Sequence, residues 1–177
     1  DSRIDHVVFT GSVVGGHRIQ EAAAKRFVGV NLELGGNDPA YVAADCDFEK
    51  TVESVVDGVF YNAGQSCCAV ERVYVHRSLY ARFVEAAETL VRAYVMDDPK
   101  KKETTLGPIA QPHHVKELEE FVQDATFGGA RVICGGHAVR VHEKGRFFEA
   151  TLVADVKQEM ALFRGESFGP IVAVAPV

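Results

Sequence analysis

Residues 47–75 read DFEKTVESVVDGVFYNAGQSCCAVERVYV, and this stretch sets the class of fold. Phe48, Val52, Val55, Val56, Val59 and Phe60 recur at helical spacing behind Asp47, a residue type suited to capping the first turn. The pattern predicts a helix that ends near Ala63-Gly64. Val73-Tyr74-Val75 then reads as a strand. Between the two lies a short turn that carries two adjacent cysteines, Cys67 and Cys68.

The same alternation extends in both directions. Upstream, Val7-Val8-Phe9 reads as a strand that ends in the turn Thr10-Gly11-Ser12. Ile19, Ala22, Ala23 and Phe27 mark a helix between Gly16 and Phe27, Val28 to Leu34 a second strand, and Ala40 to Ala43 a third. Downstream, Ser78 is placed to cap an amphipathic helix bearing Tyr80, Phe83, Val84, Ala87, Leu90, Val91 and Tyr94 on one side. Pro112 opens another helix that Gly128-Gly129 stops. Arg131 to Cys134, Thr151 to Val156 and Pro170 to Val174 complete the strands. Strands that alternate with helices of roughly 10–15 residues argue for an α/β fold, with a largely parallel sheet flanked by helices.

Composition narrows the function classes. The chain has 177 residues, 47% apolar and 25% charged, which is enough apolar content to offset the entropy of ordering. No apolar run approaches the ~18 residues of a membrane span. A net charge of −6 argues against a nucleic-acid binder, and no membrane partner is expected. The four cysteines, Cys46, Cys67, Cys68 and Cys134, form no CxxC pair, and the histidines are not spaced with them as zinc ligands would be. No metal is therefore expected, and a reducing compartment suits the thiols. Cys46 and Cys134 lie in apolar segments and read as structural. The chain begins with Asp1 and stops just after an apolar run, which is what a piece cut from a larger fold would show.

Four short segments could carry chemistry. On the turn Gly64-Gln65-Ser66-Cys67, a thiol can stand at a cleft and act as a nucleophile once dipoles or cations activate it. The alternative is that both cysteines are small buried fillers. In Leu32-Glu33-Leu34-Gly35-Gly36 a carboxylate interrupts an apolar strand. Buried without a partner it would be costly; at a cavity it could be a general base; otherwise it is a solvated strand-end glutamate. Thr10-Gly11-Ser12 follows a strand and opens a helix, a place where phosphate can meet backbone N–H groups, or simply a plain turn. Gly165-Glu166-Ser167-Phe168-Gly169-Pro170 on its own reads as a punctuated loop.

Together and in this order, the four segments resemble the NAD(P)-dependent aldehyde dehydrogenase superfamily. Leu32 to Gly36 matches its Leu-Glu-Leu-Gly-Gly signature and Gly64 to Cys67 its Gly-Gln-x-Cys signature, with a compatible spacing. Phe9 to Ser12 matches its cofactor-phosphate turn, and Glu166 to Pro170 its Glu-x-Phe-Gly-Pro segment. Asn37 stands where lysine is common in the family, and Ala150 where proline is frequent.

The resemblance implies that Cys67 is the nucleophile and Glu33 the base that activates water. It places Gly11 and Ser12 near the pyrophosphate of NAD or NADP, Glu166 on the nicotinamide ribose and Phe168 beside the nicotinamide. It implies a small-molecule aldehyde as substrate and a homo-oligomer for the full-length protein; the reducing compartment that suits the thiols is read as the cytoplasm, with the mitochondrial matrix as the alternative. It assigns residues 1–34 to the end of a dinucleotide-binding domain and residues 35–177 to the catalytic domain. Members of the family are more than twice as long, so this chain alone is expected to be inactive. Two other readings are a non-catalytic fragment and a CoA-acylating relative; the latter generally lacks the base that Glu33 would supply.

Overall fold

A computed structural model describes residues 1–177, the side chain of residue 144 excepted. The chain divides into two compact units, Asp1–Gly36 and Asn37–Val177.

The first unit is a single strand–helix–strand turn. Strand β1 (His6–Thr10) leads through Ser12 into helix α1 (Val13–Ala24), and the chain returns as β2 (Gly29–Glu33). The strands pair in parallel, with Thr10 opposite Glu33. The Ser12 hydroxyl accepts a hydrogen bond from the Gly15 N–H at 3.1 Å and so caps α1. That cap starts the helix three residues before the Gly16 expected from apolar spacing. Side chains along β1 and β2 alternate between exposed and half-buried.

The second unit is built on a five-stranded sheet. Its strands are β3 (Asp38–Val42), β4 (Val70–Val75), β5 (Arg131–Cys134), β8 (Thr151–Ala154) and β9 (Ile171–Pro176), in the order β3-β4-β9-β8-β5. The first four run parallel; β5 is an antiparallel edge. Strands β6 (Ala138–Val141) and β7 (Lys144–Phe148) form a separate hairpin. The helices are α2 (Phe48–Phe60), α3 (Tyr80–Arg92), α4 (His114–Phe127) and the short α5 (Ala161–Arg164).

Helices cover both faces of this sheet, which is why β8 and the first five residues of β9 are buried without alternation. On one face Val52, Val56 and Phe60 of α2 and Phe83, Ala87 and Val91 of α3 pack with Val73, Val75, Leu152, Val172 and Val174. On the other, Leu118 and Val122 of α4 and Leu162 and Phe163 of α5 pack with Val153, Ile171, Ala173 and Ala175. The period-2 pleat of β9 sends Val172 and Val174 to the first core and Ile171, Ala173 and Ala175 to the second.

The Asp47 carboxylate accepts from the Lys50 N–H and caps α2 as expected. Ser78 does not cap α3: its hydroxyl is paired with His76 Nδ1 at 2.8 Å, and Leu79 takes the cap position without a side-chain bond. Helix α4 begins at His114, two residues beyond Pro112. Among the described residues no helix is long and apolar enough to cross a membrane.

Candidate active site

In the first unit, the parallel pairing of β1 and β2 brings two of the expected site segments together at the carboxyl ends of the strands. The Gly11 N–H donates to the Glu33 carbonyl at 3.0 Å, closing the turn onto the end of β2. Glu33 is exposed at the end of β2, so it is not a buried, unpaired carboxylate. A Cβ at Gly11 or Gly15 would come within 2.7 Å and 2.8 Å, respectively, of the tip of the Phe9 ring, which would have to shift to admit it. The Ser12 hydroxyl is occupied by capping. What it leaves outward is the N-terminus of α1, at the end of a parallel strand pair where open α/β sheets collect ligands.

In the second unit, the cysteine turn is held from three directions. After α2 the chain passes through Tyr61–Gly64 with Asn62, Ala63 and Gly64 all at positive φ (52°, 56° and 70°). Two of these are not glycine, and each left-handed non-glycine residue costs about 1–2 kcal/mol. Local bonds offset that strain: Asn62 Nδ2 donates to the Gln65 carbonyl (2.9 Å), the Gln65 N–H to the Asn62 carbonyl (3.2 Å) and the Ser66 N–H to the Gly64 carbonyl (3.0 Å). The Gln65 side chain reaches across to the segment before α4. Its Oε1 accepts from the Ala110 N–H (2.8 Å) and its Nε2 donates to the Pro108 carbonyl (3.2 Å). At Gly64 a Cβ would overlap the carbonyl of Gly169, so the turn sits directly against the segment that contains Glu166 and Phe168.

The turn presents two exposed free thiols. Cys67 and Cys68 are both exposed, which removes the buried-filler reading for this pair; Cys68 Sγ lies 3.3 Å from Ser66 Oγ. Cys134 is buried and Cys46 half-buried against the α2–α3 core, as structural thiols would be. Burial pushes the Cys134 thiol up and leaves it less reactive.

The segment Glu166–Pro170 has partners that the sequence did not reveal. Phe168 is half-buried at φ 49°, with its carbonyl accepting from His114 Nε2 (3.1 Å) and its ring edge-on to the His114 imidazole. The N–H groups of Ser167 and Phe168 both donate to the carboxylate of Glu71, at 2.5 Å and 3.1 Å. Glu71 is only 4% exposed. Burial raises its pKa above the usual carboxylate range; the two N–H donors oppose that shift, and nearby Glu166 adds to it. The signal that could have found Glu71 is the same one noticed at Glu33: a lone carboxylate in an apolar strand, here Val70 to Val75. Among the described residues no group of three His, Cys, Asp or Glu side chains could hold a metal ion.

A parallel α/β scaffold, a strained and braced turn that exposes a cysteine, and a Glu-Ser-Phe-Gly-Pro segment packed against that turn describe a thiol-bearing α/β domain. The chain belongs to the aldehyde dehydrogenase family, whose family model matches residues 1–177. It is 40% identical over 164 residues to the NADP(+) succinate-semialdehyde dehydrogenase of Escherichia coli, covering 92% of this chain and 33% of that protein. Lactaldehyde dehydrogenase from Escherichia coli is 38% identical over 173 residues, covering 97% of this chain and 36% of that protein. A crystal structure of the latter enzyme superposes with a TM-score of 0.94 over 98% of this chain and 36% of that one. The chain thus spans about a third of the length of these relatives.

Proposed function

We propose that the full-length protein oxidises an aldehyde to a carboxylic acid with NAD or NADP. The observation that carries this reading is the exposed thiol of Cys67 on a turn braced by its neighbours, with Asn62 and Gln65 in hydrogen bonds and Gly64 in close packing. Cys67, as thiolate, adds to the aldehyde carbon to form a thiohemiacetal, and the backbone N–H of Cys67 stabilises the developing oxyanion. Bound NAD(P) supplies the hydride acceptor. A thioester on Cys67 is left behind, and Glu33 takes a proton from the water that hydrolyses it.

The donor set of the chain fits a dinucleotide. The N-terminus of α1, at the Gly11-Ser12 turn, suits a phosphate. Glu166 offers a carboxylate to ribose hydroxyls, and Phe168 offers a ring face to the nicotinamide. On this reading residues 1–34 close the dinucleotide-binding domain and residues 35–177 belong to the catalytic domain. The protein works as a homo-oligomer in a reducing compartment, the cytoplasm or the mitochondrial matrix.

Replacement of the nucleophile tests the reading. In the full-length protein Cys67→Ala abolishes NAD(P)-dependent oxidation of aldehydes, whereas Cys68→Ala retains much of it. Loss of activity only in the Cys68 variant would overturn the assignment.

A further inference from the structure

We propose that Glu71 is a positioning residue that holds Glu166 and Phe168 in place by gripping the backbone between them. The inference rests on the reading of Glu166 and Phe168 as cofactor contacts.

Three observations carry it. First, Glu71 is the second residue of β4, at the irregularity where Val70 and Arg72 pair with the consecutive residues Asp38 and Pro39 of β3, and it is almost fully buried. A carboxylate is a costly choice there unless its oxygens are used. Second, both oxygens are used on successive amides of one loop: Oε2 takes the Ser167 N–H and Oε1 the Phe168 N–H. Paired backbone N–H groups converging in this way form an anion-binding concavity, and here the protein fills it with its own side chain. Third, the gripped backbone is in an unusual conformation. Phe168 has φ 49°, a region that non-glycine residues adopt only where the surroundings hold them.

The geometry also explains why the residue is Glu. A carboxylate has two acceptor oxygens and no donor, whereas an amide of the same shape has one acceptor and would point N–H at N–H. Glu71 follows Cys67 by four residues, so one short run of chain sets the thiol at its start and the Glu166–Phe168 backbone at its end. His114 Nε2 holds the Phe168 carbonyl, so this residue is fixed by its N–H through β4 and by its C=O through α4.

The test compares Glu71→Gln and Glu71→Ala with the wild type in the full-length protein, by amide hydrogen exchange and by steady-state kinetics. In Glu71→Gln the amides of Ser167 and Phe168 exchange about tenfold faster or more, while those of Val73, Tyr74, Val172 and Val174 keep their protection; a tenfold change corresponds to about 1.4 kcal/mol. The KM for NAD(P) rises about tenfold and that for the aldehyde does not, and Glu71→Ala shows the larger effect on both readouts. Should Glu71→Ala fail to fold, Glu71→Gln decides. Unchanged exchange at Ser167 and Phe168, or exchange that rises throughout the sheet, would overturn the proposal. So would raised local exchange with an unaltered cofactor KM. A wild-type protein without NAD(P)-dependent turnover would overturn the proposed function instead, and the exchange data would still report whether Glu71 grips the loop.

Discussion

Gly64 and Gly169 touch backbone to backbone: a side-chain carbon at Gly64 would overlap the Gly169 carbonyl. The contact joins the cysteine turn to the segment that ends in Pro170, with no flexible side chain in between to yield. Gly64 also has φ +70°, so any other residue is strained there whatever the space. A Gly64→Ala variant is expected to lose about 2–5 kcal/mol of stability, from conformational strain and overpacking combined. Urea unfolding of the full-length protein measures this. A loss under about 1 kcal/mol would mean that the two segments can separate freely.

Glu33 stands at the end of β2, opposite Thr10 and exposed to water. As the proposed base it acts after hydride transfer, on the thioester. Glu33→Gln is therefore expected to keep the initial burst of reduced cofactor and to lower the steady-state rate about 100-fold or more. Rapid-mixing absorbance of reduced cofactor separates the two phases. An unaltered steady-state rate would remove Glu33 from this role.

Tyr80, at the start of α3, is bound twice to one residue. Its hydroxyl donates to the Asp155 carboxylate and accepts from the Asp155 N–H, both at 2.7 Å. Burial and the Asp155 carboxylate together hold the Tyr80 phenol well above its usual pKa. The same carboxylate takes Arg131 Nε at 2.6 Å, so α3, β5 and the end of β8 converge there. Tyr80→Phe leaves the Asp155 N–H without its partner and is expected to cost about 1–3 kcal/mol. A drop in the urea midpoint at unchanged slope would show it.

Asp97 ties the loop after α3 to the tip of the β6–β7 hairpin. Its carboxylate contacts Lys101 Nζ at 2.7 Å and His142 Nε2 at 2.8 Å. The Lys101 ammonium, then the Asp98 N–H and His142, hold it well below the usual carboxylate range. Because the folded pKa is depressed, the contribution is complete above the unfolded value near pH ~4 and is lost as pH falls below it. Asp97→Asn is expected to flatten the acid limb of the stability curve and to speed proteolysis at residues 142–143. An acid limb identical to that of the wild type would count against the tie.

Much of the fold is legible in the residues because the signals are local. The stripes of α2 and α3 repeat at 3.6 residues, and β8 and β9 are apolar runs between turn residues. The β6–β7 hairpin and the four-residue α5 escape such a reading. The hairpin is short and half-exposed, and α5 is a single turn whose Leu162 and Phe163 have meaning only against α4. Ser78 failed as a cap because a neighbour, His76, competes for its hydroxyl.

The candidate site divides in the same way. The sequence alone determined which side chains are candidates for the proposed chemistry, since the thiol of Cys67 and the carboxylate of Glu33 are properties of residue type and motif order. Tertiary structure decided what holds them. Gln65 is a bracket to Pro108 and Ala110, 43 and 45 residues away, and Glu71 a grip on Ser167 and Phe168, 96 and 97 residues away. No periodicity encodes such pairings. They exist because the parallel sheet sets β4 beside β9 and because a buried polar group must find its partner wherever the chain returns.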